Sequence, residues 1–215
     1  MTSRAYHQQE LHIAQSPADP RHVMPVFLPQ HQRILDVGCG AGQTLLAGEL
    51  PAGALAVGLD VDEEALALGR EWSRRILFTA GRAEQLPFAT ASFDLTLARV
   101  ALPWTRIPAT LAEMARVTRP GGDVWLVLHS FSKTVDDLAA NLRARQWRRA
   151  VYRSYVLANG VLFHLTAQLL PVGGRVESFQ TTARIRHEME KAGFEAVRST
   201  AAPHFVITAR RREMP

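Results

Sequence analysis

The sequence predicts an α/β fold, in which a Rossmann-like, doubly wound sheet of seven mostly parallel strands forms a single domain over residues 1–215. Three observations support this prediction. The apolar run 34–37 is followed by three alternating glycines and a helix-forming stretch, the strand–turn–helix start of a nucleotide-binding βαβ unit. A second apolar run, 54–60, ends in an acidic residue about 20 residues after the glycines, the spacing of a ligand-binding second strand. Apolar runs then alternate with helical patterns, as in a parallel sheet covered by helices.

The composition indicates a globular protein of a reducing compartment. Hydrophobic residues make up 47% of the 215 positions, which is enough for a sizeable core, and 21% are charged. A single cysteine excludes an intrachain disulfide framework and fits a reducing compartment. The first 30 residues lack the apolar core of a signal peptide, and no apolar run approaches the roughly 20 residues of a membrane span, so we expect a cytoplasmic location and no membrane association. The net charge of +5 permits an anionic partner without requiring one.

The glycine loop is the strongest functional signal. Gly38, Gly40 and Gly42 give the backbone freedom to turn and to approach a ligand closely, and Asp36 faces the same crevice near the strand end. The spacing G-x-G-x-G lacks the third glycine of the dinucleotide fingerprint, and no Gly-Lys-Ser/Thr follows it. Residues 35–42, Leu-Asp-Val-Gly-Cys-Gly-Ala-Gly, closely resemble the first motif of the class I S-adenosylmethionine (SAM)-dependent methyltransferases. The resemblance implies that this loop binds SAM, and Cys39 is interpreted as a small residue of the turn.

The end of the second strand supplies the next predicted contacts. Asp60 can accept hydrogen bonds from both ribose hydroxyls, the role of the matching position in the resembled family; the alternative is a helix-capping aspartate without a ligand. Val61 is expected to pack against the adenine. Asp62 is predicted to be the N-cap of the following helix, because two glutamates follow it.

Later segments extend the resemblance over about residues 33–130. The stretch 81–88 resembles the family's Gly-x-Ala-Glu-x-Leu-Pro-Phe segment, which implies that Ala83 and Glu84 lie at the adenine edge. Arg99, after the fourth strand, either lines the pocket or pairs with an acidic neighbour. The Asn/Asp-Pro-Pro-Tyr/Phe motif of base-amine methyltransferases is missing at this point, which argues against base-amine methylation.

Two regions flank these motifs. Residues 1–32 form an N-terminal arm with a short helix over 6–14; it either packs on the surface or covers the cofactor with Tyr6, His7 or His12. Residues 131–176 are predicted to be a helical lid after strand five, which is expected over 123–129. The lid has one or two helices over 135–155, capped by Ser132 or Thr134, and another over 156–170. A helix over 177–191 ends at Gly193. The strands 194–200 and 205–210 then form the antiparallel edge hairpin that the resemblance implies.

The predicted function is SAM-dependent methyl transfer to a small-molecule acceptor. His129, at the end of strand five, is the best-placed general base; His164 and His204 are further candidates, and a structural role is equally open for each. Two other functions stay open: RNA or protein methylation, and SAM binding without catalysis. RNA or protein methylation would use an arginine-rich stretch with interspersed aromatic residues (Arg143, Arg145, Arg148, Arg149 and Arg153, with Trp147, Tyr152 and Tyr155). The alternative interpretation of this stretch is an amphipathic helix with a solvated arginine face. Nucleic acid is not the expected partner, no metal-ligand cluster is visible, and the chain could be a monomer or a homodimer.

Overall fold

A single mixed sheet organises the chain in the computed structural model, which describes residues 2–213. Its seven strands lie in the order β3-β2-β1-β4-β5-β7-β6. Strands β1 to β5 are parallel, while β7 pairs antiparallel with both β5 and β6. The predicted fold class and the edge hairpin are therefore confirmed. The strand bounds are β1 (Arg33–Val37), β2 (Leu55–Asp60), β3 (Ile76–Ala80), β4 (Phe93–Arg99), β5 (Thr118–Leu128), β6 (Phe194–Thr200) and β7 (Phe205–Arg211).

Helices cover the sheet on both faces. They are α1 (Ser3–Gln15), α2 (Gln43–Ala47), α3 (Glu63–Trp72), α4 (Ile107–Val117), α5 (Phe131–Arg143), α6 (Trp147–Thr166) and α7 (Thr182–Ala192). Two separate apolar clusters result, one containing Leu111 and Met189 and the other Leu45 and Trp125. The central strands are buried on both faces, which explains their continuous apolar runs. The order of the parallel strands reverses beside β1, so the carboxyl ends of β1, β2 and β4 open a crevice at one edge.

Strand β5 begins earlier than the predicted 123–129. Phe93 pairs with Thr118, and the register then shifts so that Leu95 pairs with Asp123. The turn residues between Thr118 and Asp123 therefore form an irregularity at the start of the strand rather than a separate loop.

The prediction for the helical region was wrong in detail. Two helices were expected to meet at position 156, but α6 runs through that position without a break. The break lies instead at 144–146, where Arg145 has a φ of +53°. The N-cap of α5 is Ser130, whose hydroxyl accepts a hydrogen bond from the Lys133 backbone, and not Ser132 or Thr134.

The predicted helix over 177–191 also begins later. The Thr181 hydroxyl caps α7, which starts at Thr182. Residues 177–180 are extended and buried, and they lie beside the end of β5, where Ser130 forms a parallel bridge with Gln180. This change of conformation brings Glu177 next to His129.

The N-terminal helix packs onto the sheet edge that carries the crevice. It contacts α2 and α3, and Thr2 caps it by accepting a hydrogen bond from the Ala5 backbone. Within the described residues, none of the helices has the length and apolar character needed to traverse a lipid bilayer.

Candidate active site

A cavity of about 1580 Å³ opens at the carboxyl ends of the parallel strands. It gathers most of the site residues predicted from the sequence: Gly38, Cys39, Gly40, Asp60, Val61, Ala83, Glu84, Arg99, His129 and His204. Asp36 and Gly42 do not line its wall. His164 lies elsewhere, hydrogen-bonded to the Thr181 hydroxyl on the protein surface.

The glycine loop is held against the end of β2 by its own backbone. The amides of Gly38 and Cys39 both donate to the Leu59 carbonyl, at 2.7 and 3.0 Å. Gly38 has a φ of +72°, and a Cβ at this position would collide with the Ala101 side chain. The loop therefore requires glycine here for both conformation and space.

Asp60 ties the loop to the second strand. One carboxylate oxygen accepts the Gly40 amide at 2.7 Å, and the other accepts the Asp62 amide at 3.0 Å. Each carboxylate oxygen has a second lone pair, so these bonds leave acceptor capacity toward the cavity. Asp60 is not the cap of α3: that role belongs to Asp62, whose side chain accepts from Glu64 and Ala65, as predicted.

Asp36 is a buried carboxylate beneath the loop. It is 1% exposed, and neither of its oxygens has a hydrogen-bond partner among the described residues. Burial raises the pKa of Asp36 to about 7; the Arg99 guanidinium opposes this shift and the Asp60 carboxylate adds to it. Negative charge at this position is thus poorly compensated by the protein itself.

Cys39 has the properties of a structural residue. It is buried, and its thiol donates a hydrogen bond to the Gly40 carbonyl at 3.3 Å. Burial raises the pKa of the thiol, and the carboxylates of Asp36 and Asp60 raise it further. A thiol that stays protonated is a poor nucleophile, which agrees with its interpretation as a small turn residue.

Arg99 satisfies both sequence-based interpretations. It lines the cavity, donates from Nε to the Thr44 hydroxyl at 3.1 Å and lies 3.4 Å from a Glu10 oxygen. Its partner Glu10 is on α1, together with Tyr6 and His7, which also line the cavity. The side-chain amide of Gln43 contacts His7 Nδ1 at 2.8 Å. The N-terminal arm therefore forms part of the cavity wall, whereas His12 does not.

The predicted adenine-binding residues follow β2 and β3 and line the same cavity as the glycine loop. Val61 is 67% exposed at the cavity, as expected for a side chain that packs on a ligand. Glu84 is already engaged, because one of its oxygens accepts the Arg106 amide at 3.0 Å and the other lies 3.6 Å from Arg82.

Where β5 ends, the cavity wall contains His129 and a group of residues that the sequence did not identify. Glu177 lies 3.5 Å from His129 Nδ1 and also binds Tyr152 and Arg153. The edge of the Trp104 ring packs on the imidazole with ring centroids 6.4 Å apart. No local pattern marks Glu177, because it acquires its role only when the extended segment 177–180 lies along β5.

Comparison with known proteins agrees with this geometry. A family model described as a methyltransferase domain matches residues 35–126. The demethylmenaquinone methyltransferase of Mycobacterium marinum is 33% identical over 168 residues, which cover 77% of this chain and 68% of that protein.

The chain belongs to the class I SAM-dependent methyltransferases.

Other similarities are shorter or more distant. The malonyl-[acyl-carrier protein] O-methyltransferase of Erwinia pyrifoliae is 41% identical over 96 residues, and the match covers 43% of this methyltransferase but only 35% of that protein. A solved SAM-dependent methyltransferase structure from Methanosarcina mazei has a TM-score of 0.58 at 21% identity, covering 87% of this chain and 96% of that one. The structural match supports the fold.

The cavity of this methyltransferase fits the cofactor of its family, SAM. Asp60 offers carboxylate lone pairs of the kind that vicinal hydroxyls require, and Asp36 is a second carboxyl group, buried beneath the glycine loop with neither oxygen hydrogen-bonded among the described residues. A volume of about 1580 Å³ exceeds that of a typical small-molecule site, so it leaves room beside the cofactor.

Proposed function

We propose that this chain transfers a methyl group from SAM to a small-molecule acceptor bound in the same cavity. The observation that carries the proposal is that one cavity spans the carboxyl ends of several strands. The glycine loop and Asp60, at the ends of β1 and β2, form what we call its cofactor end. His129 and the start of α5, which follow β5, form with Trp104 what we call its acceptor end, and β5 lies three strands from β2 in the sheet. Cofactor and acceptor could therefore lie side by side, which is what direct transfer requires.

The cofactor end is assigned as follows. Asp60 receives the ribose hydroxyls, Val61 packs on the adenine, and Ala83 and Glu84 lie at its edge. Gly38, Cys39 and Gly40 form the surface that the ligand approaches, while Gly42 shapes the turn and Asp36 and Arg99 set the local charge. Bound SAM supplies a methyl group that is already electrophilic, so the protein's task is to align the acceptor and to exclude water. Helices α1, α5 and α6 provide that enclosure.

At the acceptor end, His129 is the proposed general base. Its imidazole is 19% exposed and borders the cavity, so it can reach a bound hydroxyl or amine. His204 also lines the cavity but has no carboxylate partner among the described ion pairs. His129 is therefore the better-supported candidate.

Small-molecule acceptors are favoured over RNA because of how the arginine-rich stretch is used. Arg153 binds Glu177 and lies 3.6 Å from Asp137, while the hydroxyls of Tyr152 and Tyr155 are hydrogen-bonded within the protein. One of the five arginine charges and two of the three polar groups of the aromatic residues are thus used within the protein. The relatives point the same way: one is a malonyl-[acyl-carrier protein] O-methyltransferase and another a demethylmenaquinone methyltransferase.

The test has two stages. Isothermal titration with SAM and with S-adenosylhomocysteine measures binding, and absence of heat for both would reject the assignment. Release of S-adenosylhomocysteine is then measured with malonyl-coenzyme A, with a naphthohydroquinone and with total RNA as acceptors. Turnover with either small molecule supports the proposal; turnover with RNA alone, or binding without turnover on any acceptor, contradicts it.

A further inference from the structure

The turn that joins α5 to α6 extends away from the rest of the domain. Residues 142–149, which we call the hairpin tip, are all exposed; they comprise the end of α5, the turn and the start of α6. Burial begins only beyond the tip. Ala150 is buried, Phe163 belongs to the larger apolar cluster, and the Phe179 ring packs on Gly160. The later part of α6 therefore anchors the hairpin, and the tip projects from it.

The hairpin tip carries a concentrated positive charge. No acidic residue occurs in the sequence between Asp137 and Glu177. The tip contains four arginines that take part in none of the ion pairs formed within residues 2–213 (Arg143, Arg145, Arg148 and Arg149). Arg149 donates to the Gln146 side chain at 3.0 Å, which leaves its charge uncompensated. Asp137 is already paired with Lys133 at 3.2 Å.

Large apolar side chains are exposed among these arginines. Trp147 is 62% exposed, Leu142 is 44% exposed, and Val151, one turn after Trp147, is 71% exposed. Trp147 and Val151 share a face of α6, because residues four apart on a helix are neighbours. An ordinary solvated helix face would turn its aromatic residues toward the core, and Trp147 does not follow that pattern. Exposed apolar groups beside uncompensated arginines are typical of an interaction surface.

We infer that the hairpin tip docks this protein on the surface of a bilayer that contains anionic lipids. Trp147, Leu142 and Val151 enter the boundary between headgroups and acyl chains, where tryptophan is favoured. The arginines extend their guanidinium groups to the lipid phosphates at the same depth. The sequence-based expectation of no membrane association considered only spanning and signal segments. A peripheral contact needs neither, so it is compatible with the lack of a spanning helix among the described residues.

Other occupants fit the tip less well. A stable protein interface takes about 800 Å² and roughly 20–30 residues from each partner, whereas the tip is a single helical turn at each side of a short connection. Contact between the tips of two copies would bring like charges together, which is unfavourable. A fluid bilayer adapts its shape to a protruding tip, so it can accommodate the guanidinium groups and the indole of Trp147 together.

The hairpin connects this surface to the proposed acceptor end of the cavity. Lys133, in the first turn of α5, lines the cavity, and Arg143 is the last residue of the same helix. A rise of 1.5 Å per residue separates the two by about 15 Å. Arg153, on α6, also lines the cavity. Docking would therefore hold the cavity close to the bilayer. The inference goes beyond the proposed function, because docking is measured without cofactor or acceptor.

The first experiment measures cosedimentation of the full chain with vesicles of phosphatidylcholine alone and of equimolar phosphatidylglycerol and phosphatidylcholine. The protein should sediment only with the anionic vesicles, and added salt should weaken its binding. One arginine near an anionic surface changes the affinity by about fivefold, so Arg148→Gln combined with Arg149→Gln should weaken binding by about 30-fold.

The matched control is Arg186→Gln combined with Arg198→Gln. It removes the same charge from exposed arginines on α7 and β6, away from the tip. Binding should change by less than about threefold, because charges far from the contact are screened. Equal weakening by the two pairs would show that net charge alone causes adsorption, and it would overturn the inference.

The second experiment follows the fluorescence of Trp147. The difference in emission between the wild type and Trp147→Phe separates its signal from those of the other three tryptophans. Anionic vesicles should shift this difference signal to shorter wavelength, because the indole leaves water for the headgroup boundary. A signal that does not shift would show that the tip stays outside the bilayer, and the inference would fail.

Absence of sedimentation with anionic vesicles would also overturn the inference, including the case in which the protein binds polyglutamate or total RNA instead. If the first arginine pair unfolds the protein, as judged by its melting curve, Arg143→Gln combined with Arg145→Gln replaces it, with the same expected weakening. Unchanged binding in that pair counts against the inference equally. Failure to bind SAM would reject the proposed function while leaving vesicle binding unaffected.

Discussion

The unpartnered carboxylate of Asp36 should make the stability of the cofactor-free protein depend on pH. Asp36 is 1% exposed, and its pKa in the folded chain is about 7, compared with 3.8 for a free side chain. The unfolded chain therefore loses this proton near pH 4, while the folded chain keeps it until near pH 7. The contribution of Asp36 to the free energy of unfolding is most favourable below pH 4. It falls as the pH rises from 4 to 7 and is constant above pH 7.

The magnitude follows from the size of the shift. A difference of about three pKa units corresponds to about 4 kcal/mol at 1.36 kcal/mol per unit. Asp36→Asn removes the ionisation while keeping the size of the side chain. The free energy of unfolding of the wild type, relative to Asp36→Asn, should therefore fall by up to about 4 kcal/mol between pH 4 and pH 8. A constant cost of burying the amide does not alter this change.

Urea unfolding, followed by circular dichroism at several pH values, measures the difference. Asp19→Asn is the control, because the hydrogen bond from Arg21 lowers the pKa of Asp19 to about 2. The stabilising contribution of Asp19 is lost only as the pH falls below 4. The difference in free energy of unfolding between Asp19→Asn and the wild type should therefore be constant from pH 4 to pH 8. A flat difference for Asp36→Asn as well would show that Asp36 is ionised in the folded protein, and the reasoning would fail.

Three further predictions concern the cofactor end. Asp60→Ala should weaken SAM binding by about 1–3 kcal/mol through loss of the acceptor for Gly40 and the ribose, and unchanged affinity in calorimetry would reject that role. Gly38→Ala should lower the melting temperature more than Gly53→Ala. Both glycines have positive φ, but only at Gly38 would a new Cβ collide with another side chain, that of Ala101. Equal losses in melting temperature would count against this contact. SAM affinity should increase from pH 6 to pH 8 in the wild type but not in Asp36→Asn, since a cation binds better beside an ionised carboxylate; parallel profiles would contradict this.

The sequence alone determined the parts of the molecule that local patterns encode. The strand at 34–37, the glycine loop, Asp60 at the end of the second strand and the Asp62 cap are each specified by a few adjacent residues. Their chemistry depends on backbone conformation and on strand ends, both of which short motifs control. For this reason nearly all of the predicted cofactor-binding residues line one cavity.

The tertiary structure decided the acceptor end and the charges beneath the loop. Glu177 reaches His129 only because its segment is extended along β5 instead of helical, and Arg99 meets Glu10 only because α1 packs across the glycine loop. Burial of β1 leaves the Asp36 carboxyl group without a hydrogen-bond partner among the described residues. These contacts join residues far apart in the chain, and their energies come from packing and desolvation, which no local sequence pattern records.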